Sequence, residues 1–139
     1  MGMGIPAGIA AALRFPDRQV FSIVGDGGAL MTGSELATAV AQKTKIRVIV
    51  ANNNHYGTIR YHQEVHFPTR HHYATNLVNP DFAKYGESFG LKCFTIHNTE
   101  EILPIIKSAM EVDGPSLIEF KMSLELNTST TTISQLQTK

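Results

Sequence analysis

Two apolar runs stand out along the chain, Val20-Phe21-Ser22-Ile23-Val24 and Ile46-Arg47-Val48-Ile49-Val50-Ala51. Both are short, rich in β-branched residues and without polar alternation, the pattern of strands buried on both faces. Between them, Thr32 to Lys43 repeats Leu36, Ala37, Val40 and Ala41 at helical spacing, and Thr32 with Glu35 matches a capping box. Strand, helix, strand over roughly 30 residues is a βαβ unit, whose strands lie parallel through a right-handed crossover. The stretches that follow the two strands, Gly25-Asp26-Gly27-Gly28-Ala29 and Asn52-Asn53-Asn54-His55-Tyr56-Gly57, therefore read as loops leaving one sheet edge. Open α/β folds bind ligands at that edge, and Asp26 and Asn53 are predicted to converge there.

The remaining pattern extends the same architecture. Ile5 to Arg14 reads as a helix with Pro6 in its first turn and a Gly- and Ala-rich surface that permits close packing. Thr58 to Glu64 reads as a short polar helix, and His66 to Leu77 as a long loop of the kind that often carries function. Asn79-Pro80 signals a helix start, and that helix is predicted to run to about Phe89 before Gly90 stops it. Leu91 to Ile96 is a third strand, Thr99 caps a helix to about Val112, and Asp113-Gly114-Pro115 turns into a fourth strand, Ser116 to Lys121. From residue 124 to 139 the chain is polar, Thr- and Ser-rich and short of groups to bury, the signature of a frayed tail. The expectation is one doubly wound α/β domain over residues 1–123, with a mostly parallel sheet and helices on both faces.

Composition narrows the function classes. The 139 residues suit one core, and 42% hydrophobic with 17% charged is ordinary for a globular protein. Twelve basic and twelve acidic residues give zero net charge, so nothing electrostatic argues for nucleic acid or an anionic membrane. No apolar run approaches the roughly 20 residues of a membrane span, and Met1 to Gly4 lacks a basic leader. The lone Cys93 excludes an internal disulfide and points to a reducing compartment, the cytoplasm; within its apolar run it reads as a buried strand thiol.

The two loops exclude familiar phosphate sites. After Gly25 and Gly27 the third glycine position of a dinucleotide fingerprint holds Leu30, and the second strand ends without an acid for a ribose. No Lys-Ser or Lys-Thr follows the glycines, and neither Lys nor Arg occurs between Arg18 and Lys43. An anion bound here must be met by backbone N–H groups or by a metal. Asp26 among such glycines would repel a phosphate unless a divalent cation lay between them. Magnesium takes one or two protein carboxylates or neutral oxygens and completes its octahedron with phosphate and water. Asp26, a neutral amide from Asn53 and a backbone carbonyl would form that share, while Gly25, Gly27 and Gly28 let N–H groups approach the phosphate. Taken singly, each loop could be a plain turn; it is their pairing at βαβ spacing that favours the metal–diphosphate reading.

Gly25-Asp26-Gly27 followed by Asn52-Asn53 resembles the metal–diphosphate motif of thiamine diphosphate (ThDP)-dependent enzymes. Met1-Gly2-Met3-Gly4-Ile5-Pro6-Ala7, Glu35 to Val40, Gly57-Thr58-Ile59-Arg60, Asn79-Pro80-Asp81-Phe82 and Gly114 to Glu119 extend the likeness to the C-terminal, diphosphate-binding domain of the acetolactate synthase-like group. The resemblance covers residues 1 to 121. It implies magnesium bound by the side chains of Asp26 and Asn53 and the carbonyl of His55. Gly27, Gly28 and the Tyr56-Gly57 backbone would touch the diphosphate, with Gly25, Ala29 and Thr58 completing the set, and Met1 would prop the cofactor in its bent form. It further implies decarboxylation or carboligation of 2-oxo acids. No pyrimidine-binding domain with its glutamate is present, so the chain reads as one half of an enzyme, inactive alone and self-associating through the exposed face. His62 stands where biosynthetic acetolactate synthases usually carry tryptophan, which favours a related decarboxylase or carboligase. A catalytically silent binding or assembly module and a magnesium-dependent phosphate-ester enzyme remain as alternatives.

Other polar residues have plainer readings. His62 and His66, four apart, could clamp a metal but lack an evident third ligand; with His71 and His72 they read as cleft-lining histidines. Arg60 and Arg70 could meet a substrate carboxylate or lie solvated at the surface. Tyr85, Phe89 and Phe94 read as core.

Overall fold

The computed structural model describes residues 1–67, 72–126 and 131–137. In chain order the elements are α1 (Gly4–Arg14), β1 (Val20–Gly25), α2 (Asp26–Thr32), α3 (Leu36–Ala41), β2 (Ile46–Asn52), α4 (Gly57–His66), α5 (Phe82–Ser88), β3 (Lys92–Ile96), α6 (Ile102–Met110), β4 (Ser116–Lys121) and α7 (Ile133–Gln137). The strands form one wholly parallel sheet in the order β1-β2-β4-β3, with Gly25 beside Ala51 where β1 and β2 end. The doubly wound α/β architecture is as the apolar runs predict.

Each face of the sheet has its own apolar cluster. On one face Val48, Val50 and Leu117 pack with Ile5 and Ile9 of α1, Leu36 and Ala39 of α3 and Phe82 of α5; Tyr85 and Phe89 join them. On the other, Ile118 and Ile96 meet Ala109, with Ile102, Ile105 and Ile106 of α6 and Phe94 packed around them. Phe21 and Ile23 of the edge strand β1 stay exposed on the sheet. Arg47 sits inside the β2 run without any exposure because its guanidinium donates to the carbonyl oxygens of Gly114, Val112 (2.8 Å) and Met110 (3.3 Å). It ties the end of α6 to the start of β4.

Several boundaries differ from the sequence reading for local reasons. Gly25 to Ala29 is no loop: the chain passes from β1 straight into α2, with Gly25 as N-cap. The predicted helix from Thr32 to Lys43 is interrupted by a 3-10 turn, Gly33–Glu35, where a Cβ on Gly33 would lie 2.7 Å from the Tyr85 hydroxyl. No capping box forms, because Thr32 Oγ1 donates to the Gly2 carbonyl (2.8 Å). Helix α5 begins at Phe82 with Asp81, not Asn79, as the cap, and ends where Gly90 adopts φ +93°, a conformation glycine takes without strain. Asn98 rather than Thr99 caps the turn before α6. The 124–139 stretch does bury groups: Ile133 and Leu136 of α7 are 2% and 8% exposed, and α7 packs against α4.

Candidate functional site

The site is built where β1 and β2 end side by side. Asp26, the first residue of α2, is only 3% exposed. Its Oδ1 accepts the N–H of Gly27 (2.8 Å) and its Oδ2 accepts from Asn79 Nδ2 (2.7 Å). The three asparagines after β2 have three different tasks. Asn52 Oδ1 accepts the Asn54 N–H (3.1 Å), Asn53 Oδ1 accepts the His55 N–H (3.1 Å), and Asn54 turns the chain at φ +57°. Asparagine tolerates that left-handed conformation better than most residues. The loop is clamped from outside by Tyr56 N–H to the Thr75 carbonyl and Leu77 N–H to the Asn54 carbonyl, both 2.8 Å.

His55 is held at both ring nitrogens. Arg60 Nη1 lies 2.6 Å from Nε2, and Nδ1 lies 3.0 Å from the Asn53 carbonyl. An arginine can only donate, so Nε2 is the acceptor and Nδ1 carries the proton to Asn53. Arg60 Nε in turn faces the buried Glu64 at 3.5 Å, which also receives Gln137 Nε2 of α7 at 3.1 Å and lies 3.7 Å from His72 Nδ1. Arg60 is therefore drawn toward His55 and Glu64, with its side chain 12% exposed.

Two adjoining cavities open at this edge. The smaller, about 240 Å³, is walled by Asp26, Asn53 and His55 together with Gly25, Gly57, Thr58 and Met122. The larger, about 400 Å³, shares Gly25, Asp26, His55, Gly57 and Thr58 and adds Met1, Gly27, Gly28, Tyr56 and a lip of Met3, Ile23 and Ile59. The predicted convergence of Asp26 and Asn53 is present. Ten of the eleven residues singled out from the sequence line one or both cavities; Ala29 does not, being 2% exposed in the core. Gly27 has no room for a side chain, since a Cβ there would lie 2.4 Å from Tyr56 Cε1. The Gly27 N–H is taken by Asp26, which leaves the Asp26 and Gly28 N–H groups as those of the first helical turn without an intrahelical carbonyl.

Among the described residues, neither lining contains Lys or Arg. One carboxylate, one amide oxygen and the His55 carbonyl, which already accepts the Gly57 N–H (2.9 Å), make an all-oxygen donor set suited to a hard divalent cation. Among the described residues no three His, Cys, Asp or Glu groups gather as a softer metal would need. His62 and His66 stack in parallel at 5.8 Å on an exposed helix face. Arg70 and His71 lie outside the described residues.

Sequence reasoning missed what stands behind the cavities. Asn79 Nδ2 also donates to Asn52 Oδ1 (2.8 Å), and Asn52 Nδ2 donates to Glu119 Oε1 (2.6 Å), which Lys121 Nζ meets at 2.6 Å. Glu119 is 1% exposed. An acid among the apolar residues Leu117, Ile118 and Phe120 was the one signal available.

The sequence model of the family described as "Thiamine pyrophosphate enzyme, C-terminal TPP binding domain" matches residues 1–120. Protein YdaP of Bacillus subtilis strain 168 is 38% identical over 90% of this chain and 21% of its own length. The acetolactate synthase large subunit of Lactococcus lactis subsp. lactis is 37% identical over 88% of this chain and 21% of its own. The chain thus spans about a fifth of the length of these curated relatives. The thiamine diphosphate-dependent 4-hydroxybenzoylformate decarboxylase of Rhodococcus jostii RHA1 superimposes with a TM-score of 0.82 at 31% identity, over 88% of this chain and 23% of that one.

Proposed function

Because the chain belongs to the thiamine pyrophosphate enzymes, as their C-terminal TPP-binding domain, we propose that it holds the diphosphate of thiamine diphosphate through magnesium, in an acetolactate synthase-like carboligase or decarboxylase of 2-oxo acids. The observation that carries this reading is that Asp26, Asn53 and His55 wall one cavity at the ends of two neighbouring parallel strands. Asp26 supplies the only negative charge among the described residues of the two linings. Asn53 and the His55 carbonyl would add oxygens without further repelling a diphosphate, and the N–H of Gly28 would be available to its oxygens. Met1, Tyr56 and the apolar lip give the larger cavity an apolar wall. When bound, the cofactor supplies an electron sink for breaking the bond beside a ketone.

Of the described residues lining the cavities, only Asp26 and His55 carry a carboxylate or an imidazole, and both are engaged. The proton chemistry at the pyrimidine ring therefore falls to a pyrimidine-binding domain, elsewhere in the same enzyme or on a second subunit. Met1, Met3 and Ile23, each more than 70% exposed at the lip, are suited to being covered by that partner. The lone, partly buried Cys93 fits a cytoplasmic setting.

Calorimetric titration of the chain with ThDP, with and without magnesium, tests the reading. Magnesium-dependent binding that Asp26→Ala abolishes is the expected result; binding indifferent to magnesium or to Asp26 refutes it. Mixing the chain with a separate pyrimidine-binding domain should restore 2-oxo acid decarboxylation, and failure to do so would favour a silent assembly module.

A further inference from the structure

Asn79 looks from its sequence context like a helix cap, yet the cap of α5 is Asp81, which accepts the Lys84 N–H at 3.0 Å. The Asn79 amide spends itself elsewhere. Its Nδ2 donates to Asp26 Oδ2 at 2.7 Å and to Asn52 Oδ1 at 2.8 Å, reaching 53 positions back along the chain to the only acid among the described residues of the cavity walls. Both partners present oxygens, so the amide has one sensible orientation. Asn52 is likewise fixed, its Nδ2 bound to Glu119 Oε1 at 2.6 Å and its Oδ1 to the Asn54 N–H at 3.1 Å. The Glu119 carboxylate is buried and joined to Lys121, so it is a stationary anchor.

We propose that Asn79 is a positioning residue of the cation site: with Asn52 it locks the Asp26 carboxylate in the rotamer that aims its free lone pairs into the cavity. The Gly27 N–H holds Oδ1 and Asn79 holds Oδ2, so both oxygens are pinned from the protein side before any cation arrives. A carboxylate fixed in this way favours magnesium, which demands near-ideal octahedral geometry, over calcium, which accepts many arrangements. Removing Asn79 frees Oδ2 and leaves the charge in place. The loss should therefore fall on magnesium more than on calcium. Partners that orient a metal-binding group are typically worth on the order of 10–100-fold in affinity.

The inference rests on the magnesium reading above. The test is calorimetric titration of Mg2+, and separately of Ca2+, into the chain at saturating ThDP, for the parent, Asn79→Ala, Asn79→Ser and Asp26→Ala, with melting temperatures taken in chelator. Asn79→Ala should bind Mg2+ about tenfold more weakly or worse, lose less for Ca2+, and melt within a few degrees of the parent. Asn79→Ser, which keeps one donor and guards against misfolding of the alanine variant, should fall between. Unchanged Mg2+ affinity overturns the proposal, and so does a parallel fall for both cations that tracks the melting temperature. If the parent itself shows no Mg2+ binding sensitive to Asp26→Ala, the cation reading fails and takes this one with it.

Discussion

Gly27→Ala offers the sharpest check on how the two halves of the site fit together. A methyl carbon at residue 27 would stand 2.4 Å from Tyr56 Cε1, 2.7 Å from Cδ1 and 3.2 Å from Met1 Cε. Carbon atoms meet comfortably at about 3.5–4.0 Å, so the ring must retreat by about 1 Å. Met1 can yield, being 75% exposed, but the Tyr56 N–H is tied to the Thr75 carbonyl at 2.8 Å, so ring and loop shift together. Overpacking of this kind costs about 1–3 kcal/mol. Against it stands the helix propensity of alanine, better than glycine by about 0.8–1.0 kcal/mol. Because ring and loop must move together, the penalty falls in the upper half of that range and outweighs the propensity gain, leaving a net loss of up to about 2 kcal/mol and a melting temperature lower by up to roughly 8 °C for a chain of this size. Urea unfolding of the parent, Gly27→Ala, Tyr56→Ala and the double variant separates the terms. With the ring gone, alanine at 27 should become neutral or stabilising. The reasoning is refuted if Gly27→Ala alone is as stable as the parent, or if its penalty survives intact in the Tyr56→Ala background.

Arg47→Ala leaves the carbonyls of Met110, Val112 and Gly114 without their buried donor and should cost about 3 kcal/mol or more in urea unfolding. The Cys93 thiol, pushed up to about 12 mainly by burial and then by nearby Glu87, should resist a disulfide reagent at pH 8 in the folded chain and react fully in denaturant. Asp81 is held below its ordinary range first of all by the Lys84 N–H; a folded-state pKa lowered in this way means the cap stabilises fully above the unfolded value and fades as pH falls through the folded one. Asp81→Ala should therefore cost about 1 kcal/mol at pH 7, with the gap to the parent narrowing towards pH 2 in thermal melts. Asn52→Asp sets a second carboxylate against buried Glu119; the folded pair takes up a proton, so the variant's deficit should be large at pH 8 and shrink towards pH 5.

The sheet was legible because its strands are uninterrupted β-branched runs, and such runs have few other places to go. The convergence of Asp26 and Asn53 followed from βαβ handedness alone. What the pattern could not give was the task of each polar side chain. Asn79-Pro80 carries the local signature of a helix start, and the helix does begin two residues later, but a tertiary partner outbid the cap for its amide. Thr32 likewise left its capping box for the Gly2 carbonyl, 30 positions away. Arg60 looked like a surface cation because the acid that receives it, Glu64, sits one helical turn on in a polar-looking helix whose burial is set partly by α7. The tail misled for the same reason: two apolar residues among polar ones carry little signal, and Ile133 and Leu136 count only because α4 is there to cover them.

The order of groups behind the proposed cation site has a physical logic of its own. Two buried acids, Asp26 and Glu119, stand at the ends of a chain of two amides, Asn79 and Asn52. Direct contact between the acids would force one to take up a proton, and the cation site would lose the charge on which it depends. Interposed amides avoid this because each offers N–H to one neighbour and oxygen to another. Asn52 gives its N–H to Glu119, which obliges its oxygen to face Asn79, which in turn obliges Asn79 to give N–H to Asp26. Lys121, at 2.6 Å, balances the far acid and, among the described residues, leaves the near one uncompensated by any side-chain cation. That imbalance is what a divalent ion would answer. It also explains why the second wall residue is Asn53 rather than an acid: a further carboxylate beside Asp26 would raise the cost of the empty site more than it would help a cation already facing a diphosphate.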